Sequence, residues 1–177
     1  MNKNWYVVYT KPQCEIKVVA LLTKRKIENF CPLNKIATFK GNKKRVTQEP
    51  LFPSFVFVYS TEHQMSLVRQ IGCVVNFVYW KANPAVISQA EIEGIYHFTN
   101  HQLNIKLEKS TVGANGKARL ISDSHIDYNN NSNMISIKNS VIKLSLPSLG
   151  YILMAETEKS MIDVVNYGFE RSEMLSR

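Results

Sequence analysis

The first hundred residues show two periods of apolar and polar positions, which predict strands and helices. The run WYVVYT (5–10) is rich in aromatic and β-branched residues, as strands are. Residues 14–27 place apolar side chains three or four positions apart, which predicts an amphipathic helix with a basic outer face. The other predicted elements are a strand region over 29–40 interrupted by Pro32, a basic turn over 41–48, a strand over 54–59, a short helix over 63–71, a strand over 73–81 and a helix over 88–100 that begins with the capping-box pair Ser88 and Glu91.

The strand within EPLFPSFVFV (49–58) is apolar on both faces. Phe55, Phe57 and Tyr59 share one face, and Val56 and Val58 share the other, because successive side chains of a strand point in opposite directions. The order of the elements predicts an α+β fold, an antiparallel sheet with helices on one face. The second face is then apolar and without a helix, which is typical of an interaction site.

After residue 103 the chain changes to short alternating segments separated by turns. The segments KARLIS, NMISIK, SVIKLSL and GYILMAE predict strands of a small β-barrel. DYNNNSN (127–133) predicts a hairpin loop, and MIDVVNYGFE (161–170) predicts a last strand or helix. We therefore expect an N-terminal domain over 1–103, a linker over 104–113, and the barrel with a C-terminal tail over 114–177.

The positive charge is concentrated at one end of the chain. Residues 1–50 hold 11 Lys/Arg and 3 Glu, or 11 − 3 = +8, which equals the net charge of the whole chain. Basic charge in one region suits a polyanion such as nucleic acid, or an acidic protein surface. The alternative is a solvated basic face without a partner.

The composition argues against several classes of protein. There is no run of about 18 apolar residues, which a membrane-spanning helix would need, and the apolar run near the start is too short for a signal peptide. We therefore expect a cytoplasmic protein without a membrane partner. Cys14, Cys31 and Cys73 are odd in number and contain no CxxC pair, so they predict reduced thiols rather than a zinc site or a disulfide framework.

Four motifs occur in order along the first hundred residues: WYVVYTKPQCEIKV, EPLFPSFVFV, VRQIGCVVNFVYWKANPAVIS and AEI. Together they resemble the N-terminal domain of NusG-type transcription elongation and antitermination factors. LPSLGYILMAE (146–156) resembles the C-terminal domain of UpxY-like antiterminators, specialised paralogues of capsule loci that are similar in this respect to RfaH.

The resemblance implies a NusG-like N-terminal domain followed by a small KOW/SH3-like β-barrel. It implies a factor that binds bacterial RNA polymerase through an apolar pocket and suppresses pausing or termination on specific operons, here polysaccharide loci. The implied partners are the β′ clamp helices, the β subunit, upstream or non-template DNA and nascent RNA. The protein would act as a monomer without a cofactor, a metal or catalysis.

The resemblance also assigns roles to individual residues. The implied clamp-helix pocket consists of Tyr9, Phe52, Phe55, Phe57, Trp80 and Ile92. The implied contact with the β subunit consists of Gln64, Met65 and Ser66. The predicted nucleic-acid contacts are Lys11, Lys17, Lys24, Arg25, Lys26, Lys43, Lys44 and Arg45.

Two departures from the family pattern favour a specialised paralogue. Ser54 stands where the family often has glycine, and the glycine-rich loop of the KOW barrel is not visible, so the barrel is expected to be degenerate. The sequence leaves open whether the C-terminal domain covers the pocket.

The sequence also raises two other functions. An RNA-binding module could stack bases on Phe55 and Phe57, but the flanks of 52–59 carry no basic residue. An enzyme is disfavoured because the chain has no GxSxG, P-loop or paired acidic motif. His97 and His101 are one helical turn apart, a spacing that can bind metal, but no third ligand is evident nearby.

Overall fold

The computed structural model of the chain describes residues 2–80, 82–112, 118–120, 135–138 and 140–156. Its helices and strands, in chain order, are β1 (Asn4–Thr10), α1 (Glu15–Lys24), β2 (Glu28–Phe30), β3 (Leu33–Lys40), β4 (Lys43–Pro50), β5 (Phe55–Ser60), α2 (Glu62–Arg69), β6 (Val74–Phe77), β7 (Tyr79–Trp80), β8 (Asn83–Pro84), β9 (Val86–Ile87), α3 (Gln89–His101), β10 (Lys106–Val112), β11 (Ala118–Leu120), β12 (Ile135–Lys138), β13 (Val141–Leu146) and β14 (Tyr151–Glu156).

The strands of the N-terminal half form an antiparallel central sheet. Its order is β2-β5-β1-β6, and β9 pairs with β1 beside β6. The register places Val7 opposite Phe57 and Tyr9 opposite Phe55. The predicted α+β class is therefore confirmed.

Both faces of β5 are apolar because each packs against a separate core. Val56 and Val58 belong to a core with apolar side chains of α1 and α2. Phe57 belongs to a second core, on the opposite face, with Ile92 and Phe98 of α3. The structure thus differs from the prediction in one respect, since α3 covers the face that we expected to carry no helix. The spacing of apolar residues shows that a helix has an inner face, but not which side of the sheet it packs on.

Helix α3 begins with the capping box that the sequence predicts. Ser88 Oγ accepts a hydrogen bond from the Glu91 backbone N–H, and the Ser88 N–H donates to Glu91 Oε2, each at 3.2 Å. This reciprocal pair is the predicted capping box. Trp5 Nε1 also donates to Gln89 Oε1 at 2.7 Å, which ties the first turn of α3 to β1.

The predicted basic turn over 41–48 is wrong, because most of it is strand β4. β3 and β4 form a two-stranded hairpin in which Leu33 pairs with Pro50 and Lys40 pairs with Lys43. Gly41 and Asn42 form the connection, and Gly41 has a φ of +59°, which glycine adopts without strain. The side chains of β4 are exposed from residue 43 to residue 49, so no apolar alternation marks the strand in the sequence.

The predicted strand over 73–81 is interrupted at Val78. β6 ends at Phe77, and the Val78 N–H donates to the carbonyl oxygen of Val7 at 2.8 Å. Tyr79 and Trp80 then pair with Pro84 and Asn83 in a short separate hairpin.

The C-terminal strands form a second antiparallel sheet of order β11-β10-β14-β13-β12. Strands β11 to β14 lie within the four segments that the sequence predicts. The predicted linker over 104–113 contains β10, which pairs with β14. The division into 1–103, 104–113 and 114–177 and the KOW class of the sheet stay predictions. The predicted loop over 127–133 and the segment over 161–170 lie outside the described residues.

Candidate functional site

An aromatic face lies on the side of the central sheet that carries α3. We define it as Trp5, Phe30, Phe52, Phe55, Phe57 and Tyr59. The ring of Phe57 contacts Phe52 edge-on, with centroids 5.6 Å apart, and contacts Phe30 with centroids 6.1 Å apart. Trp5 and Tyr59 pack at 5.2 Å. The rings form one apolar surface because β1 and β5 present alternate residues to the same side.

The C-terminal sheet packs on this aromatic face. Apolar side chains of β13 and β14 belong to the same core as Phe52 and Phe57; they are Ile142, Leu144, Leu146, Leu153 and Ala155. The ring of Tyr151 contacts Phe52 edge-on with centroids 6.0 Å apart. The Ser148 N–H donates to Glu91 Oε1 at 2.9 Å, so the β13–β14 turn is also tied to the start of α3.

The structure divides the six predicted pocket residues into three groups. Phe52, Phe57 and Ile92 are buried together in the core that the C-terminal sheet covers. Phe55 is half-buried at the edge of that core and contacts Tyr9, which is 44% exposed, with ring centroids 5.9 Å apart. Trp80 lies on the β7–β8 hairpin and is 73% exposed.

The three residues predicted to contact the β subunit lie on α2 but point in different directions. Met65 is buried in the core between α2 and the central sheet. Gln64 accepts a hydrogen bond from the Thr61 N–H at 3.1 Å, so it caps the helix. Ser66 is exposed and donates to the carbonyl oxygen of His63 at 3.1 Å. Of the three, Ser66 is the one whose side chain is fully at the surface.

The basic residues occupy two regions. Lys11 and Lys17 are exposed near the start of α1, and Lys24, Arg25 and Lys26 are exposed at its end. Arg25 Nη1 donates to the carbonyl oxygen of Leu67 at 2.6 Å, so this guanidinium also joins α1 to α2. The second region is the β3–β4 hairpin, where β4 carries the exposed residues Lys43, Lys44 and Arg45.

Glu15 is a site residue that the sequence patterns did not indicate. Its carboxylate is buried and accepts a hydrogen bond from the Ser54 N–H at 2.6 Å. Ser54 has a φ of +64°, a conformation that favours glycine, and its carbonyl oxygen accepts from the Thr10 N–H at 2.8 Å. These contacts fix the turn that carries Phe52 and Phe55 onto the aromatic face. A lone Glu in the first turn of a helix gives no sign of such a role.

Two of the three cysteines, Cys14 and Cys31, have raised pKa values. Burial and, to a smaller extent, the nearby Glu15 carboxylate raise the pKa of Cys31 to about 11. A hydrogen bond with Cys73, followed by burial, raises the pKa of Cys14. A raised pKa keeps a thiol protonated at neutral pH and therefore unreactive.

Neither a metal-binding cluster of side chains nor a membrane-spanning helix is found in the part of the chain that the structure describes. No three His, Cys, Asp or Glu side chains lie close enough there to hold a metal ion. None of the described helices is both long enough and apolar enough to span a bilayer.

The chain is similar to a family of known proteins and to several of its members. The family model described as "Transcription termination factor nusG" matches residues 3–96. The transcription termination/antitermination protein NusG of Rickettsia typhi is 26% identical over 120 residues, which span 62% of each chain. The protein of the same description from Escherichia coli K12 is 24% identical over 175 residues, covering 92% of this chain and 96% of the relative. A solved structure described as "Domain interaction in Thermotoga maritima NusG" is 18% identical, covers 89% of this chain and 99% of the other, and has a TM-score of 0.43.

Proposed function

The chain belongs to the NusG family of transcription termination and antitermination factors, and from this premise we propose that it binds bacterial RNA polymerase through the aromatic face. It is then a binding factor without catalysis that suppresses pausing or termination. The observation that carries the proposal is the continuous cluster of rings around Phe57, presented by β1, β5 and the turn before β5.

The chemistry of the aromatic face suits a protein helix as the partner. Aromatic side chains supply a large apolar area with few torsions to immobilise, which is why they dominate binding energy in many interfaces. The apolar side of the β′ clamp helices is the proposed occupant, with Tyr9, Phe55 and Trp80 as further contacts at the rim. Ser66 and Gln64 would meet the β subunit, and the basic ends of α1 would meet upstream DNA.

The alternative function, an RNA-binding platform, is supported less well. Unpaired bases that stack on aromatic rings need cations beside them to pair with phosphates. Lys3 is one such cation, since its Nζ lies 5.7 Å from the centroid of the Tyr59 ring. The segment 52–59 contributes none, and the surface that meets Phe52 and Phe57 in the structure is apolar.

Binding at the aromatic face requires that the C-terminal sheet leave it. Phe52 and Phe57 share one core with side chains of β13 and β14, and the Tyr151 ring contacts Phe52, so a polymerase helix and this sheet would compete for the same surface. We infer that the described arrangement is a closed state in which polymerase binding competes with the internal contact. Because only open molecules could bind, the apparent affinity would be the intrinsic affinity multiplied by the fraction of molecules that are open.

A narrower role on particular operons is also proposed. The segment LPSLGYILMAE, which includes the last residue of β13 and all of β14, resembles UpxY-like antiterminators, and this supports a specialised factor for polysaccharide loci. The same segment supplies Tyr151 and Leu153, which cover the aromatic face. This position supports the proposal that a specialised C-terminal sequence controls access to the pocket.

The test is capture of purified bacterial RNA polymerase by three forms of the full chain. The forms are the wild type, Phe55→Asp at the half-buried edge of the face, and Val75→Asp as a control at a 56% exposed apolar residue of β6. We expect capture by the wild type and the control, and loss of capture by Phe55→Asp with an unchanged circular dichroism spectrum. Equal capture by Phe55→Asp would overturn the proposed interface.

The closed state makes weak capture by the wild type a second possible result. The experiment therefore includes Leu144→Ala, which removes a buried side chain of the covering sheet. Capture by this variant alone would support a covered pocket. Absence of capture by both the wild type and Leu144→Ala would overturn polymerase binding itself.

A further inference from the structure

Two of the three cysteines meet in the fold although they lie far apart in the chain. Cys14 directly precedes α1, and Cys73 lies in the turn between α2 and β6. The backbone of Lys11 binds both residues. Its N–H donates to the carbonyl oxygen of Cys73 at 2.9 Å, and its carbonyl oxygen accepts from the Cys14 N–H at 3.1 Å. The two thiols are in hydrogen-bond contact, because β1 pairs with β6 up to Thr10 and Val74, the residues next to these turns.

Helix capping does not explain the position of the Cys14 side chain. Cys14 is the N-cap residue of α1, a position that usually holds Ser, Thr, Asp or Asn, whose oxygen accepts a backbone N–H of the first turn. The Cys14 side chain makes no such bond. Its thiol contacts Cys73 instead. The contact between the thiols is therefore what distinguishes Cys14 from an ordinary N-cap residue.

The surroundings of the pair allow a covalent bond between the two sulfur atoms. Cys14 and Cys73 are both half-buried, so a small molecule in solution can reach them. Each lies in a turn rather than within a helix or strand, and Gly72, next to Cys73, has open space around it. A disulfide needs its sulfur atoms about 2.05 Å apart and its Cβ atoms about 4 Å apart. Turn residues can make the small shift from hydrogen-bond contact to that geometry.

The residue after Cys14 connects this pair to the aromatic face. Glu15 is buried, and its carboxylate accepts a hydrogen bond from the Ser54 N–H at 2.6 Å. Ser54 belongs to the turn that carries Phe52 and Phe55. A covalent bond at Cys14 would hold the start of α1 in place and, through Glu15, would restrain this turn.

We propose that Cys14 and Cys73 form a reversible disulfide, a redox-sensitive lock that joins the start of α1 to the start of β6 and restrains the Ser54 turn. The oxidant is a low-molecular-weight disulfide such as oxidised glutathione. The Cys73 thiolate attacks one sulfur of the small disulfide, forms a mixed disulfide and releases one thiolate. The Cys14 thiolate then attacks the Cys73 sulfur and releases the second. The two cysteines are oxidised, the small disulfide is reduced to two thiols, and the two protons of the cysteines pass to those thiols.

The contact between the thiols also sets the order of the two steps. A hydrogen bond with Cys73, followed by burial, raises the pKa of Cys14, so Cys14 keeps its proton and Cys73 attacks first. Once the mixed disulfide has formed, Cys14 lies beside it, and a reaction within one molecule is favoured over attack by a second small thiol. In a reducing compartment such a bond is transient and redox-sensing rather than structural.

The first test identifies the cross-link in the purified full chain. The protein is equilibrated with excess oxidised glutathione, free thiols are alkylated with iodoacetamide, and tryptic peptides are analysed by mass spectrometry beside a non-reducing gel. Trypsin places the three cysteines in separate peptides, 4–17, 27–35 and 70–81. We expect 4–17 joined to 70–81 within one chain, alkylated Cys31, and full reversal by excess reduced glutathione. A bond to 27–35, a bond between two chains, or glutathione alone on Cys14 and Cys73 would overturn the lock.

The second test compares the thermal unfolding of the oxidised and reduced forms. A disulfide between residues 14 and 73 closes a long loop and restricts the unfolded chain, so Tm should rise by on the order of 10 °C in the wild type. Cys31→Ala leaves the pair intact and should show the same rise. Cys14→Ser, whose hydroxyl can cap α1, should show none. No rise in the wild type, or an equal rise in Cys14→Ser, would overturn the proposal.

Hydrogen exchange tests the restraint on the Ser54 turn. Backbone amides of residues 51–58 should exchange several-fold more slowly in the oxidised form. Amides of β13, which belongs to the other sheet, should exchange at the same rate in both forms. Unchanged exchange over 51–58, or an equal slowing in β13, would overturn the restraint. Each of these measurements uses the chain alone, so none of the results would bear on polymerase capture.

Discussion

At the scale of single residues, Ser54 has a strained backbone conformation that hydrogen bonds hold in place. Its φ of +64° lies in the left-handed region, which costs residues other than glycine about 1–2 kcal/mol. Ser54→Gly keeps the backbone bonds to Glu15 and Thr10, and part of the gain is offset by the greater freedom of glycine in the unfolded chain. We expect Ser54→Gly to be about 0.5–1 kcal/mol more stable in urea unfolding. Ser54→Ala retains the strain and should gain nothing, so equal stability of the two variants would contradict this account.

Cys31 provides a prediction about pH. Burial, with a smaller effect of Glu15, raises its pKa from an ordinary value of 9.0 to about 11. The folded state therefore favours the neutral thiol, and the stability that Cys31 contributes is present below about pH 9 and lost as the pH rises toward 11. At pH 8 the thiolate fraction should be about 100-fold below that of an ordinary thiol. Iodoacetamide labelling followed by peptide mass spectrometry should show slow modification of Cys31 in the folded chain and ordinary modification in urea.

At the scale of elements, the position of the β3–β4 hairpin depends on Asn34. Its buried amide satisfies both the N–H and the carbonyl oxygen of Ile105. Asn34→Ala would leave these two backbone groups without a partner, and each buried unsatisfied group costs about 1–3 kcal/mol. We expect a loss of about 2–4 kcal/mol in urea unfolding. Gln48→Ala, at an exposed position of the same hairpin, should change stability by less than about 0.5 kcal/mol. Similar losses in the two variants would show that Asn34 does not anchor the hairpin.

The elements also show what the sequence could and could not predict. β5 was recognisable because Phe55, Phe57 and Tyr59 alternate with valines, and α3 because Ser88 and Glu91 mark its start. β4 was not recognisable, because a strand exposed on both faces has no apolar alternation and reads as a basic loop. The motif resemblance indicated six pocket residues. The spacing of residues along the chain could not show that β13 and β14 share a core with Phe52 and Phe57. Such contacts join residues far apart in the chain and leave no local period.

At the scale of the whole molecule, one core joins the two sheets. Phe57 in the N-terminal half and Leu144 in the C-terminal half are both fully buried in it. The covering surface is thus part of what stabilises the closed arrangement, and the surface proposed for polymerase is the same one. When side chains of the covering sheet are shortened, the free energy of unfolding should therefore fall, while the aromatic face should become more accessible to polymerase.

Leu144→Ala and Val58→Ala separate this coupling from a general loss of stability. Both residues are fully buried, but Val58 lies in the other core, between the central sheet and the helices α1 and α2. We expect Leu144→Ala to cost about 2–5 kcal/mol, and Val58→Ala somewhat less. Hydrogen exchange should then increase at β13 and β14 in Leu144→Ala, and polymerase capture should rise in that variant alone. A matching rise in Val58→Ala would mean that loosening anywhere exposes the face. An unchanged capture in Leu144→Ala, despite faster exchange at β13 and β14, would show that the C-terminal sheet does not control access to it.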